Sequence, residues 1–148
     1  NLNVSNSIFD SSNYHDVFEK DITQASKSIV ISSPYLGGKR VHWLADLSSV
    51  LHLKGVSFTV MTLSSENYPE DGREHHEGFI SILEKSGISV RRSSQCHERF
   101  AIIDKSLIWY GSMNLLSNAK EEDSLMRLES KSVAEELLQF IIIKYNTL

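Results

Sequence analysis

The chain has 148 residues, 41% hydrophobic and 23% charged, with a formal net charge of −4. That is enough apolar chain to bury one core, and the runs Ile29–Ile31 and Phe140–Ile143 are far too short to cross a bilayer. A pI near 5.8 argues against a broad basic face that grips nucleic acid along its length, so any phosphate site has to be local, with Lys39, Arg40, Lys54, Arg91, Arg92 and Arg99 as its candidates. Apart from Arg99, each of these is read as a solvated surface charge.

The stretch Asn1-Leu2-Asn3-Val4 has no basic-then-apolar leader pattern, and the lone Cys96 cannot form an internal disulfide. Both features fit a soluble cytoplasmic protein with no membrane partner. The chain starts without Met, which fits one domain, residues 1–148, belonging to a longer protein.

Val17, Phe18, Ile22 and Ala25 recur at helical spacing, and Ser28–Ser32 then reads as a buried strand that ends at Pro34. Gly37 and Gly38 make a turn before a second helix carrying Val41, Leu44, Leu47 and Leu51, closed by Gly55. Val56–Met61 is a strand by its β-formers, and the polar stretch Ser64–Glu77, with Pro69 and Gly72, reads as a mobile loop. A third helix follows on Phe79, Ile80 and Leu83, capped by Gly87, and then an alternating strand at Ile88–Arg91. Phe100–Ile103 and Leu107–Tyr110 flank the polar turn Asp104-Lys105-Ser106 as a hairpin; Ser124–Glu129 reads as a further strand and Ser132–Lys144 as a last helix. Trp43, Trp109 and the tyrosines are assigned to the core by default. Strands alternating with helices predict an α/β fold with a mixed, largely parallel sheet flanked by helices. Ligands of such sheets sit beyond the carboxyl ends of the strands, which brings Ser32–Tyr35 toward any site.

The chemistry concentrates at the hairpin. His97 and Arg99 share one strand parity, opposite to Glu98, Phe100, Ile102 and Asp104, and are therefore neighbours in space. Four residues separate Arg99 from Asp104, and six separate Asp104 from Gly111-Ser112-Met113-Asn114. With that spacing the chain resembles the phospholipase D superfamily, whose signature is His-x-Lys, then Asp, then Gly-Ser-x-Asn; Arg99 stands in the lysine's place. Within it, Trp109-Tyr110-Gly111-Ser112-Met113-Asn114 and Glu121–Arg127 are similar to single-motif nuclease domains of bacterial restriction enzymes and of helicase-linked proteins.

An isolated histidine is first read as an ordinary surface or core residue, and His97 departs from that reading because a cation and a Gly-Ser turn follow it at fixed spacing. A neutral imidazole can attack phosphorus near neutral pH to give a phosphohistidine. A second imidazole must then protonate the leaving alkoxide, and the resemblance implies that it comes from a second copy of the chain in a homodimer with one composite site. The resemblance gives Arg99 the role of holding a phosphoryl oxygen. Asn114 and Ser112 offer amide and hydroxyl donors, and Gly111 permits close backbone approach. Asp104 is expected to orient through turn hydrogen bonds without touching substrate. The carboxylate that the family places on the histidine's other nitrogen would fall at Leu125 by ungapped counting, so Glu122 is the first candidate and Asp123 the second. His75 and His76, beside Glu74 and Glu77, read as surface residues, not metal ligands, and no cofactor is expected. Cys96 reads as a packing residue.

The reading is a metal-independent phosphodiesterase, a DNA nuclease domain serving a restriction or helicase-linked parent protein. Its rival is a catalytically weak phosphate-binding or dimerisation module that guides DNA for a partner enzyme.

Overall fold

The computed structural model describes residues 6–146, so the stretch Asn1–Val4 lies outside the described residues. The chain opens with β1 (Ser7–Asp10) and α1 (His15–Thr23), followed by β2 (Ser28–Ser32) and α2 (Gly38–Leu53). Next come β3 (Ser57–Leu63), α3 (Arg73–Lys85) and β4 (Ser89–Ser93). The hairpin is β5 (Phe100–Ile103) with β6 (Leu107–Gly111), and β7 (Ser124–Glu129) and α4 (Lys131–Tyr145) close the fold. The strands form one seven-stranded sheet in the order β1-β7-β6-β5-β2-β3-β4. The mixed α/β architecture is the one expected from the alternation of elements, but the sheet is not largely parallel: only two of its six pairings are, because β5, β6 and β7 run as an antiparallel meander. Its parallel part is β2–β3–β4, whose crossovers run through α2 and α3, and the remaining pairings are antiparallel.

Alternation of side chains along the strands gives the sheet two apolar faces. On one face Ile29, Ile31, Val60 and Trp109 meet Phe18 and Ile22 of α1, Val41 and Leu44 of α2, and Ile80 and Leu83 of α3. On the other, Met61, Phe100, Ile102 and Ile108 meet Ala134 and Ile141 of the single helix α4. Each such buried side chain contributes about 1.5–3 kcal/mol relative to exposure. Ser130 caps α4, accepting the Val133 N–H on its Oγ at 3.1 Å.

Several expectations are corrected. β1 has no counterpart in the periodicity reading, because only Phe9 of its four residues is buried. The Ser64–Glu77 stretch is not one loop: short 3₁₀ turns cover Ser65–Asn67 and Glu70–Gly72, and α3 already starts at Arg73. His76 is therefore helical and fully buried, stacked on Tyr68 with ring centroids 4.0 Å apart, whereas His75 is exposed. Arg40 is not a solvated charge. It is buried over the Trp43 ring at 4.1 Å, donating through Nε to the Leu115 carbonyl and through Nη1 to His15 Nδ1. Trp43 is only partly buried, and its indole N–H donates to Glu19. A buried ion pair also went unforeseen: Arg127 on β7 grips Asp21 on α1 with two bonds of 2.7 and 2.9 Å, and Trp109 Nε1 donates to the same carboxylate at 2.8 Å.

Candidate active site

The site sits at one end of the sheet, where β2 and β3 finish, β5 begins and β6 finishes. His97 and Arg99 precede β5 in extended backbone, and the ladder continues as far as the Gly111 N–H, which donates to the Arg99 carbonyl at 3.3 Å. Their parity holds although the regular strand starts only at Phe100. Glu98 turns to the α4 face, where its carboxylate accepts from Lys144 Nζ at 2.5 Å and from the Tyr145 hydroxyl, while the Ser32 hydroxyl donates to its carbonyl at 2.7 Å. Burial pushes the Glu98 carboxyl up, but the bonds from Lys144 and Tyr145 outweigh it and hold it below the usual range. This anchored residue fixes the backbone of its two neighbours, which face the opposite way.

Two open clefts meet at His97 and Arg99. One is walled by Tyr110, Gly111 and Ser112, and the other by Tyr35, Asn67 and Ser94, with a volume of about 310 Å³. The imidazole of His97 is exposed and has no hydrogen-bond partner among the described residues. Arg99 donates through Nη1 to the Ser112 carbonyl at 2.7 Å, and its buried Nε–H has no acceptor among the described residues. Part of the guanidinium is thus committed to holding the turn after β6.

That turn is stitched on both sides. The Ser112 hydroxyl donates to Asp123 Oδ1 and accepts from the Ser124 N–H, while Asp123 Oδ2 accepts the Lys120 N–H. Gly111 is required by the β7 backbone, since a Cβ there would lie 2.1 Å from the Ser124 carbonyl oxygen. Asn114 takes the Tyr35 N–H on its Oδ1 at 3.3 Å, which leaves the amide NH₂ without a partner among the described residues. Ser33 Oγ accepts from the Leu116 N–H and donates to the Tyr35 carbonyl, so the loop after β2 and the loop after β6 hold each other. The approach of Ser32–Tyr35 to the site, expected from sheet topology, is what the structure shows.

The remaining expected residues fall elsewhere. Asp104 lies at the far end of β5, about 20 Å along the strand from His97. Its carboxylate accepts the N–H groups of Ser26, Lys27 and Ser28, clamping the start of β2 to the hairpin turn. Burial raises its pKa, the three N–H donors outweigh that, and the carboxyl ends below its ordinary value. Glu122 is exposed and makes no bond to His97; Asp123 is the carboxylate nearer the motif, and it is taken by Ser112 and Lys120. Leu125 is buried in the core. Cys96 is buried beside Ser32, and burial pushes its thiol up to about 11, so it stays protonated near neutral pH. Among the described residues no group of three or more His, Cys, Asp and Glu side chains is arranged to hold a metal ion, and no helix is long and apolar enough to cross a membrane. Asn67 and Ser94 have no signal in the sequence, because they come from two loops, after β3 and after β4, with no spacing to tie them to the motif.

The family model described as "Cardiolipin synthase, PLD-like domain" matches residues 18–141. Among solved structures, the chain is similar to Nuc from Salmonella typhimurium, described as a phospholipase D family member, with a TM-score of 0.73 at 15% identity over 96% of this chain and 93% of that one. It is similar to NucT from Helicobacter pylori, with a TM-score of 0.71 at 16% identity over 92% of each chain. A third likeness is to TrmBL2, an archaeal chromatin protein described as binding DNA, with a TM-score of 0.67 at 10% identity over 97% of this chain and 53% of that one. No curated protein matches the chain in sequence.

Proposed function

Given that the chain belongs to the phospholipase D superfamily, a group of phosphodiesterases and nucleases, we propose that it is a metal-independent phosphodiesterase that cuts DNA through a phosphohistidine on His97. The observation that carries this reading is the unpartnered, exposed imidazole of His97 in a cleft shared with the Arg99 guanidinium. A nucleophile must keep its lone pair free, and a fixed cation beside it is what a phosphodiester needs in order to dock.

In the first step an imidazole nitrogen of His97 forms a P–N bond while the P–O bond to the leaving group breaks, and the leaving oxygen takes a proton from a second, protonated imidazole. In the second step that imidazole, now neutral, takes a proton from water as the water oxygen attacks phosphorus and the P–N bond breaks. Arg99 and the free NH₂ of Asn114 serve the phosphoryl oxygens. The second imidazole is His97 of another copy of the chain, related by a two-fold axis. An exposed apolar row supports such pairing: Ile8, Met126 and Tyr110 lie side by side in register across β1, β7 and β6, and Tyr110 walls a His97 cleft.

The second reading, a weakly catalytic phosphate-binding module, is favoured by two observations. Arg99 replaces the family's lysine and gives Nη1 to a backbone carbonyl, and neither Glu122 nor Asp123 supports the His97 ring. Incubating the protein with single- and double-stranded DNA in excess chelator, beside His97→Ala, separates the two. Chelator-resistant cleavage lost in the variant is expected; binding without cleavage by either protein would establish the module.

A further inference from the structure

We infer that the cleft beside Tyr35 seats one unstacked base of a single-stranded nucleic acid, so that the site selects single strands over duplex. The inference deepens the phosphodiesterase reading and rests on it. Tyr35 follows three buried residues, Ser32, Ser33 and Pro34, yet is itself 36% exposed and walls the cleft that contains His97 and Arg99.

The ring is held in place from behind. The Tyr35 N–H donates to Asn114 and its carbonyl accepts from Ser33 Oγ at 2.8 Å. Its ring meets Tyr68 edge to face at 5.4 Å, Tyr68 stacks on His76, and His76 is buried and anchored through Nε2 to the Leu63 carbonyl at 2.7 Å. Three rings in series thus brace an exposed aromatic surface, and little freedom remains to be lost when a ligand lies on it.

The other side of the cleft presents Asn67 and Ser94, whose side chains have no partners among the described residues and can meet the polar edge of a base. A volume of about 310 Å³ suits one nucleoside-sized group and not a stacked pair of strands. The chemistry combines a cation for the phosphate, an aromatic platform for a π-face and amide and hydroxyl groups for a base edge. Stacking on one aromatic ring is the sequence-tolerant grip that single strands offer, whereas a paired base must first leave its stack and its partner.

The test measures binding by fluorescence anisotropy in the cleavage-silent His97→Ala protein. The probes are a labelled oligothymidylate, the same strand made fully abasic, and a duplex of equal length. The oligothymidylate is expected to bind at least about tenfold more tightly than either of the others, and adding Tyr35→Ala should remove about tenfold of that affinity without touching the abasic strand. Tyr35→Phe should restore it, which loss of fold would not allow. Equal affinity of Tyr35→Ala and its parent for the oligothymidylate, or duplex bound as tightly as single strand, would overturn the inference. With chelator-resistant cleavage intact, such a result removes the base site and leaves the phosphodiesterase; no cleavage and no binding of any probe removes both.

Discussion

Asp104 occupies the aspartate position of the motif, yet its carboxylate works on the backbone of residues 26–28 and not on the cleft. Its pKa is lowered from 3.8 in the fold, so its contribution to stability is complete above the unfolded value and is lost as pH falls through the folded one. Asp104→Asn is expected to lower stability by about 1–3 kcal/mol at pH 7 in urea denaturation, with the gap to wild type closing as pH drops below 3.8. Cleavage per folded molecule should be unchanged. At this scale the motif itself was legible, because residues 97–114 are local in sequence and strand parity alone makes neighbours of His97 and Arg99. The setting of Glu98 was not, since its partner Lys144 lies 46 residues away. His76 was hidden for a related reason: a histidine's burial depends on what its helix covers, and its residue type gives no hint of Tyr68 or Leu63.

At the scale of elements, α1, α2, β2, β3, β5, β6 and α4 follow from apolar spacing within a residue or two of their observed ends, since each buries a full stripe or face. β1 leaves no periodic signal because one inward Phe9 makes no pattern, and apolar spacing marks only the later turns of α3 because its first turn, Arg73–Glu77, is made of polar residue types. What ties β7 to α1 is the Asp21–Arg127 pair, buried together with Trp109, and residues so far apart in sequence leave no periodic trace. Bonding to Asp21 raises the pKa of Arg127, so the guanidinium stays charged through the neutral range. Asp21→Ala takes the two shortest acceptor bonds from the buried Arg127 and the acceptor from the Trp109 indole, and is expected to cost about 3–5 kcal/mol in chemical denaturation. A loss under about 1 kcal/mol would mean that water or another group replaces the carboxylate.

For the whole molecule, net charge is −4, so attraction for a polyanion has to come from the clefts at one end of the sheet. Composition made that much legible. It could not show which surface stays apolar, because Tyr110, Met126 and Ile8 look like ordinary strand residues until the register aligns them beyond the cover of α4. In the proposed mechanism that row is where a second copy sits, bringing its imidazole to the same phosphorus. The most direct measurement pairs sedimentation with chelator-resistant cleavage for wild type and Met126→Glu, which puts a charge into the middle of the row. A wild-type dimer that cuts and a folded, monomeric variant that does not are expected. A wild-type monomer that cuts at full rate, with no second His97 within reach, would contradict it.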